Sequence, residues 1–214
     1  MSALATLSGS AAALLRADIN TDTIAPLVRG QAGPQPAGIR SDAELAQRLF
    51  GPWRYRADGT PDPEFVLNQP PFDQARFLLA GPNFACGSSR ETAATMLKAF
   101  GIRCVIAPSF GLIFHDNCFR NHMLPLTLEW DAVQALAVFA QRGVPFHLDV
   151  GAGTLAAEGE PPVRFTLPAF RREMLVQGKD EVDATLARAQ AITAWQAAAR
   201  AQRPWEWNSV RADS

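Results

Sequence analysis

Between Asn83 and Gly101 the chain reads NFACGSSRETAATMLKAFG, and every position from Cys86 to Glu91 can contribute to chemistry. Cys86 could act as a nucleophile if a helix N-terminus or a cation lowered its pKa and a base lay close by. No histidine lies in the stretch, so His115, His122 or His147 would have to reach it through the fold. A buried cysteine is also a common small core residue. A phosphate loop of the form G-x-x-x-x-G-K-[ST] is excluded, because no lysine occupies the required place. The remaining chemistry is anion binding. A helix starting near Arg90 presents unpaired N–H groups and the positive end of its dipole to that spot. Ser88 or Ser89 can cap this helix, and Glu91 in its first turn complements the dipole. Arg90 adds a planar fork suited to a carboxylate or phosphate. Residue types alone leave two readings open, an acid-binding corner and a plain helix cap.

The elements that must position these residues are legible on either side. ARFLLA (75–80) reads as a short buried strand broken by Gly81-Pro82. Ala93, Leu97 and Phe100 recur at helical spacing, and Gly101 suits the end of that helix, where positive φ costs least. IRCVIA (102–107) is a second strand, so 75–107 forms a βαβ unit. Ser109 is expected to cap a short helix with Phe110, Ile113 and Phe114 facing the core, followed by a strand at 124–128. Asp131 is expected to cap a helix running to about Arg142. Residues 146–150, the TLAAE stretch after the Gly151–Gly153 turn, and 163–167 suit antiparallel strands. An Ala-rich helix is predicted at about 181–201, with Val182, Leu186, Ala189 and Ile192 on one face. Residues 30–73 are rich in Gly, Pro, Asp and Arg. They predict long loops around one short helix at 42–50, and loops of this length usually serve a site or an interface.

Bulk properties narrow the classes of partner. A formal net charge of -1 with scattered basic residues argues against nucleic acid or an acidic membrane surface. Cys86, Cys104 and Cys118 are an odd number without C-x-x-C spacing, which argues against a zinc knuckle or a locally ligated cluster. Three unpaired thiols suit a reducing cytosol, and the N-terminal residues lack the pattern of a signal peptide or a membrane span. The three histidines lack ligand spacing. Trp53, Trp205 and Trp207 read as core or interface aromatics.

The stretches NFACGSSRETA and GIRCVIAPSFGLIFHDNCFRNHMLPL are similar to the small subunit of 3-isopropylmalate dehydratase. More broadly they resemble the swivelling domain of the aconitase superfamily, whose signature is G-S-S-R-E-H-A. ADINTDTIAP (17–26), WRYRADGTPDPEFVLNQPP (53–71) and FRREMLVQGKDEVDATL (170–186) agree in content and order. The resemblance implies an α/β fold with β/β/α layers, spanning 1–214 as a single swivelling domain. It implies a hydro-lyase of leucine biosynthesis that moves a hydroxyl between adjacent carbons of a small hydroxy-diacid. Ser88 would be the base, Ser89 and Arg90 would bind the substrate carboxylate, and Asp22 would support the site. The Lewis acid would be a [4Fe–4S] cluster on a separate large subunit, with no cofactor on this chain and activity only in the assembled pair. The sequence departs from the pattern at four places. Thr92 replaces the signature histidine, Asn20 replaces the first Asp of D-T-D, and His122 replaces a glycine. The fourth departure is the segment after Pro26, LVRGQAGPQPAGIR, which matches poorly and leaves Arg29 or Arg40 as substitutes for a carboxylate-binding arginine. These departures keep another alkylmalate or a citrate-like acid, or a non-catalytic anion-binding module, as alternatives.

Overall fold

The chain opens with two short strands that go to different sheets. β1 (Thr6–Gly9) and β2 (Ala11–Leu14) are separated by Ser10 alone, with Gly9 at φ +150° making the transfer. A side chain at Gly9 would strike Arg76 Cγ at 2.5 Å, so both space and backbone select glycine. This computed structural model describes residues 3–26, 41–87 and 91–207, and of residues 181 and 184 the backbone only. The chain divides into two compact units, the first ending at Gly178 and the second starting at Lys179.

In the first unit three short helices come next: α1 (Thr21–Ile24), α2 (Asp42–Arg48) and α3 (Gly51–Arg54). Then follow β3 (Phe77–Ala80), α4 (Thr92–Phe100), β4 (Cys104–Ala107), α5 (Leu112–Arg120), β5 (Leu124–Thr127) and α6 (Trp130–Gln141). The unit ends with β6 (Phe146–Asp149), β7 (Thr154–Ala157), β8 (Val163–Arg164) and α7 (Ala169–Gln177). Strands β2-β3-β4-β5 form a parallel sheet in that order, and β1-β6-β7-β8 form an antiparallel one. The mixed α/β architecture and the parallel pairing across 75–107 are as the sequence predicts.

Alternation along the parallel strands builds two cores. Phe77, Leu79, Cys104, Ile106, Leu124 and Leu126 face one side, where they meet α6 and the inner residues of the antiparallel sheet. Leu78, Ala80, Val105 and Ala107 face the other, against Ala93 and Leu97 of α4 and Phe114 and Cys118 of α5. Both faces are covered, which is why these strands are continuous apolar runs with no polar alternation. Each buried Phe or Leu contributes about 1.5–3 kcal/mol.

Several local expectations are corrected. Ser109 does not cap α5: Gly111 holds that position, and the Ser109 hydroxyl accepts the Asn83 N–H at 2.8 Å. Phe114 is buried as predicted, but Ile113 is half exposed. Asp131 lies in the first turn of α6, and Glu129 is its cap residue. The predicted helix at 42–50 ends at Arg48 because Phe50 takes a left-handed conformation, φ 52°. In the second unit the predicted helix over 181–201 is two, α8 (Glu181–Leu186) and α9 (Ala189–Gln202). Val182 and Leu186 are largely exposed, so the apolar face expected there is not covered.

Candidate active site

Parallel sheets in α/β folds present ligands to the carboxyl ends of their strands. Here the loops leaving β2, β3 and β4 at that end are laced together. Leaving β2, Asp18 donates its N–H to the Pro82 carbonyl at 3.0 Å, and its carboxylate accepts the Asn83 amide at 2.7 Å. Ala85 N–H meets the Ile19 carbonyl at 2.6 Å, and Thr21 N–H meets the Cys86 carbonyl at 3.0 Å. Leaving β4, the Ser109 carbonyl accepts Phe84 N–H at 3.0 Å, and Gly111 N–H returns to the Phe84 carbonyl at 2.8 Å. Asn20 pairs with Cys86, and Phe84 pairs with Phe110, as isolated parallel bridges.

This lacing bends the chain into left-handed conformations. Asp18 (φ 56°), Asn83 (φ 58°) and Ala85 (φ 58°) all lie there, as does Gly87 (φ 99°). An alanine at positive φ is uncommon and persists only where its surroundings fix it. Two glycines make the approach possible: a Cβ at Gly81 would lie 2.4 Å from the Arg16 carbonyl oxygen, and one at Gly111 2.4 Å from that of Ala85. The strained segment runs directly into Ser88.

Ser88, Ser89, Arg90 and Arg29 lie outside the described residues, as does Arg40. Asp22 is placed. It sits exposed in the first turn of α1, one turn of chain that Asn20 caps by accepting Thr23 N–H at 2.8 Å. Asn20, standing where the family pattern has aspartate, thus acts as the cap. Cys86 and Gly87, the last described residues before Ser88, adjoin this turn, and Gly87 lies against the Asn20 side chain. On the far side Glu91 precedes α4, and its carboxylate accepts the Asn121 amide at 3.1 Å. The described helix begins at Thr92, which is exposed at its first position.

The other candidates separate from this corner. Cys104 and Cys118 are fully buried, and burial pushes both thiols well above their usual range. They belong to the apolar cores on opposite faces of the parallel sheet. A cluster ligand must be a thiolate, so these residues do not fit a [4Fe–4S] group. His147 lies on the antiparallel sheet, bonded through Nδ1 to Ser8 Oγ at 2.9 Å. His115 lies beside Asp116, which pairs with Arg171 at 3.0 Å; burial lowers the imidazole pKa. His122 is buried at φ 54°, a conformation glycine adopts without cost, which accounts for the glycine of the family pattern. Among the described residues no group of three His, Cys, Asp or Glu could hold a metal ion. An open cleft of about 470 Å³, lined by Leu14, Arg16, Trp53, Asp62, Glu64 and Phe65 among others, includes none of Asp22, Cys86 or Gly87. The Arg16 guanidinium lies 4.9 Å from the centre of the Trp53 ring beside it.

Comparison with known proteins decides the family. The model of the aconitase C-terminal domain matches residues 1–131. The 3-isopropylmalate dehydratase small subunit of Cupriavidus necator is 45% identical over 202 residues, covering 92% of this chain and 94% of its own. The chain belongs to the 3-isopropylmalate dehydratase small-subunit family. The small subunit from Jannaschia sp. is 39% identical and is covered over its whole length, with 96% of this chain. The crystal structure of 3-isopropylmalate dehydratase from Methanocaldococcus jannaschii superposes with a TM-score of 0.59 at 25% identity, covering 89% of this chain and 99% of that one. The aconitase-type α/β fold therefore stands on sequence and structure together. Sequence reasoning found the family through its motifs but missed the residues that lace the site's loops together, Asp18, Asn83 and Asn121. Their signal is weak, since Asn and Asp are ordinary loop residues; a positive φ favours them at Asp18 and Asn83, whereas Asn121 has φ −90° and is used for its side-chain amide.

Proposed function

We propose that this chain, as the small subunit of a 3-isopropylmalate dehydratase, supplies the base and the carboxylate-binding wall of an active site completed by a large subunit. The reaction is dehydration and rehydration of a hydroxy-diacid, interconverting 2-isopropylmalate and 3-isopropylmalate in leucine biosynthesis. Ser88 removes the proton beside a carboxylate. Ser89 and Arg90 bind the substrate carboxylate, with Arg29 as a further cationic contact. Asp22 supports the base from the neighbouring turn.

The observation that carries this reading is the Asn20–Cys86 bridge, which brings the turn bearing Asp22 against the residues that lead into Ser88. Ser88 is joined to Gly87, and consecutive Cα atoms are about 3.8 Å apart. A serine is a weak base unless its alkoxide is stabilised by donors and positive charge. Arg90 and the N-terminal end of α4 are the groups of this chain suited to that task. Hydroxide is a poor leaving group, and a [4Fe–4S] cluster held by the large subunit would supply the Lewis acid. The part assigned to this chain is proton removal and substrate orientation. Among the described residues no helix is long and apolar enough to cross a membrane. All three cysteines are free, and a cytoplasmic setting accommodates them.

The test is Ser88→Ala in the assembled enzyme. Turnover of 3-isopropylmalate should fall at least about a hundredfold, the usual contribution of a positioned base, while the two subunits still co-purify. Turnover within a few-fold of the parent would remove Ser88 from the role of base.

A further inference from the structure

The stretch 53–71, one of those that carry the family resemblance, supplies no residue to the reaction proposed above. It does form most of the wall of the 470 Å³ cleft. Trp53, Asp62, Glu64 and Phe65 come from it, while Leu14 and Arg16 come from the end of β2 and the turn after it. This wall is held by its own contacts. Trp53 stacks on the buried Phe50, with ring centres 6.0 Å apart and planes 7° from parallel. Phe65 lies against both rings, at 5.9 Å from Phe50 and 6.5 Å from Trp53. Asn68 ties the two arms of the loop together: its Nδ2 donates to the carbonyls of Arg54 and Asp62 at 2.7 and 2.8 Å, and its Oδ1 accepts Arg54 Nε at 2.8 Å. Asp62 N–H returns to the Arg54 carbonyl at 2.9 Å. Little ordering of the wall is left for a ligand to bring about, which lowers the cost of binding.

The charges of the cleft identify what fits it. Asp62 is compensated, since it pairs with Arg56 at 3.6 Å and accepts the Glu64 N–H at 3.1 Å. Among the described residues the Arg16 and Glu64 side chains have no hydrogen bond or ion pair, with each other or with another group. The Arg16 guanidinium instead lies over the Trp53 ring at 4.9 Å, a contact that holds it at the cleft without using its N–H donors. The cleft thus offers an unanswered cation and an unanswered anion beside the apolar surface of Leu14, Trp53 and Phe65. A dicarboxylate would meet Glu64 and Asp62, a simple cation would meet Arg16, and a hydrocarbon would leave both charges without a partner. A molecule with one carboxylate, one ammonium and a short apolar chain answers all three features. We propose that the cleft is a binding site for an α-amino acid with an apolar side chain. Its carboxylate meets the Arg16 fork, its ammonium meets Glu64, and its side chain covers Trp53 and Phe65. The volume falls within the range of about 300–1,000 Å³ usual for small-ligand sites. This inference is independent of the roles given to Ser88 and its neighbours.

The experiment is isothermal titration calorimetry of the full-length chain, alone and assembled with its large subunit, with leucine as the probe. Leucine should bind both preparations with a Kd below about 1 mM. 4-Methylpentanoate lacks the ammonium and 3-methylbutylamine lacks the carboxylate; each should bind about tenfold more weakly, the scale of one hydrogen bond to a charged group. Arg16→Gln and Glu64→Gln should each weaken leucine by a similar factor. In Glu64→Gln, leucine and 4-methylpentanoate should bind alike, which a merely structural role for Glu64 would not produce. If Arg16→Gln lowers the thermal midpoint through loss of its Trp53 contact, Glu64→Gln decides alone, because that carboxylate is exposed and its change leaves the core intact. 3-Isopropylmalate should not displace leucine from the assembled enzyme; displacement would put leucine in the substrate site and overturn the proposal. Binding by the free chain that disappears on assembly would overturn it as well, making the cleft part of the subunit contact. So would equal affinity for leucine and 4-methylpentanoate in the parent chain, or no binding at about 10 mM leucine, ten times the expected limit.

Discussion

At the scale of single residues, the site is shaped by what is left out of side chains as much as by what is present. Gly111 sits where the strand-to-helix loop after β4 passes Ala85, and its missing Cβ would lie 2.4 Å from the Ala85 carbonyl oxygen and 3.1 Å from its carbon. The obstacle is backbone, and that backbone belongs to the segment leading into Ser88. A methyl group at position 111 cannot be accommodated by rotating a side chain; either the α5 N-terminus or the Ala85–Gly87 segment must move. Gly111→Ala should therefore cost about 1–3 kcal/mol, the range for overpacking at a close contact, read as a lower thermal midpoint of the isolated chain. Where the variant still assembles with its large subunit, activity should fall by more than stability accounts for, because the displaced segment is the one carrying the motif. An unchanged midpoint would mean that the close approach of Gly111 to Ala85 is not a constraint on the native chain.

At the scale of elements, what could be read from sequence depended on how local the determining contacts are. The unit 75–107 was legible because β3 and β4 are buried on both faces and α4 carries its stripe in Ala93 and Leu97. β1 and β2 gave little signal. TLSG and AAAL are poor in β-branched and aromatic residues, and their partners lie far away in sequence, at Phe146–Asp149 and Phe77–Ala80. The helix start assigned to Ser109 failed because its hydroxyl found the Asn83 N–H, a contact no local pattern encodes. The active-site motif was recognisable from residue types, whereas the lacing that holds it, Asp18 to Asn83 and Asn121 to Glu91, depends on loop conformation. α2 is the opposite case, an element held by local chemistry. Ser41 and Glu44 form a reciprocal capping box, with Glu44 N–H on Ser41 Oγ at 3.3 Å and Ser41 N–H on Glu44 Oε2 at 2.9 Å. α2 has seven residues, none of them buried, so it is too short to persist without its cap and its packing on α4. Ser41→Ala should lower the unfolding free energy by about 1 kcal/mol in chemical denaturation, with an unchanged m-value because the buried surface is the same. A neutral result would assign the stability of α2 to packing alone.

At the scale of the whole molecule, the two compact units differ in what holds them. Both apolar cores are assembled from residues between Leu4 and Leu175, so they lie entirely in the unit that ends at Gly178. In the unit from Lys179, Ala199 is the buried hydrophobic residue among those described, while Trp195 and Trp205 are 61% and 67% exposed. Local terms within this unit include an Asp180–Asp183 capping box on α8 and the Arg200 guanidinium 4.7 Å from the centre of the Trp207 ring. Such terms contribute tenths of a kcal/mol to about 1 kcal/mol each, and a fourteen-residue helix such as α9 is marginal by itself. A chain ending at Gly178 should then unfold cooperatively within about 4 °C of the full-length protein, the shift that roughly 1 kcal/mol produces at this size. A synthetic peptide of residues 179–214 should be only partly helical by circular dichroism. A much larger drop in midpoint on truncation would mean that residues 179–214 belong to the same cooperative unit as the two cores, as expected of a single swivelling domain spanning 1–214. The two outcomes are separated by denaturation of two purified chains. The result also decides whether the motif at 170–186, which runs across the boundary at Gly178, acts as one structural element or as the seam between two.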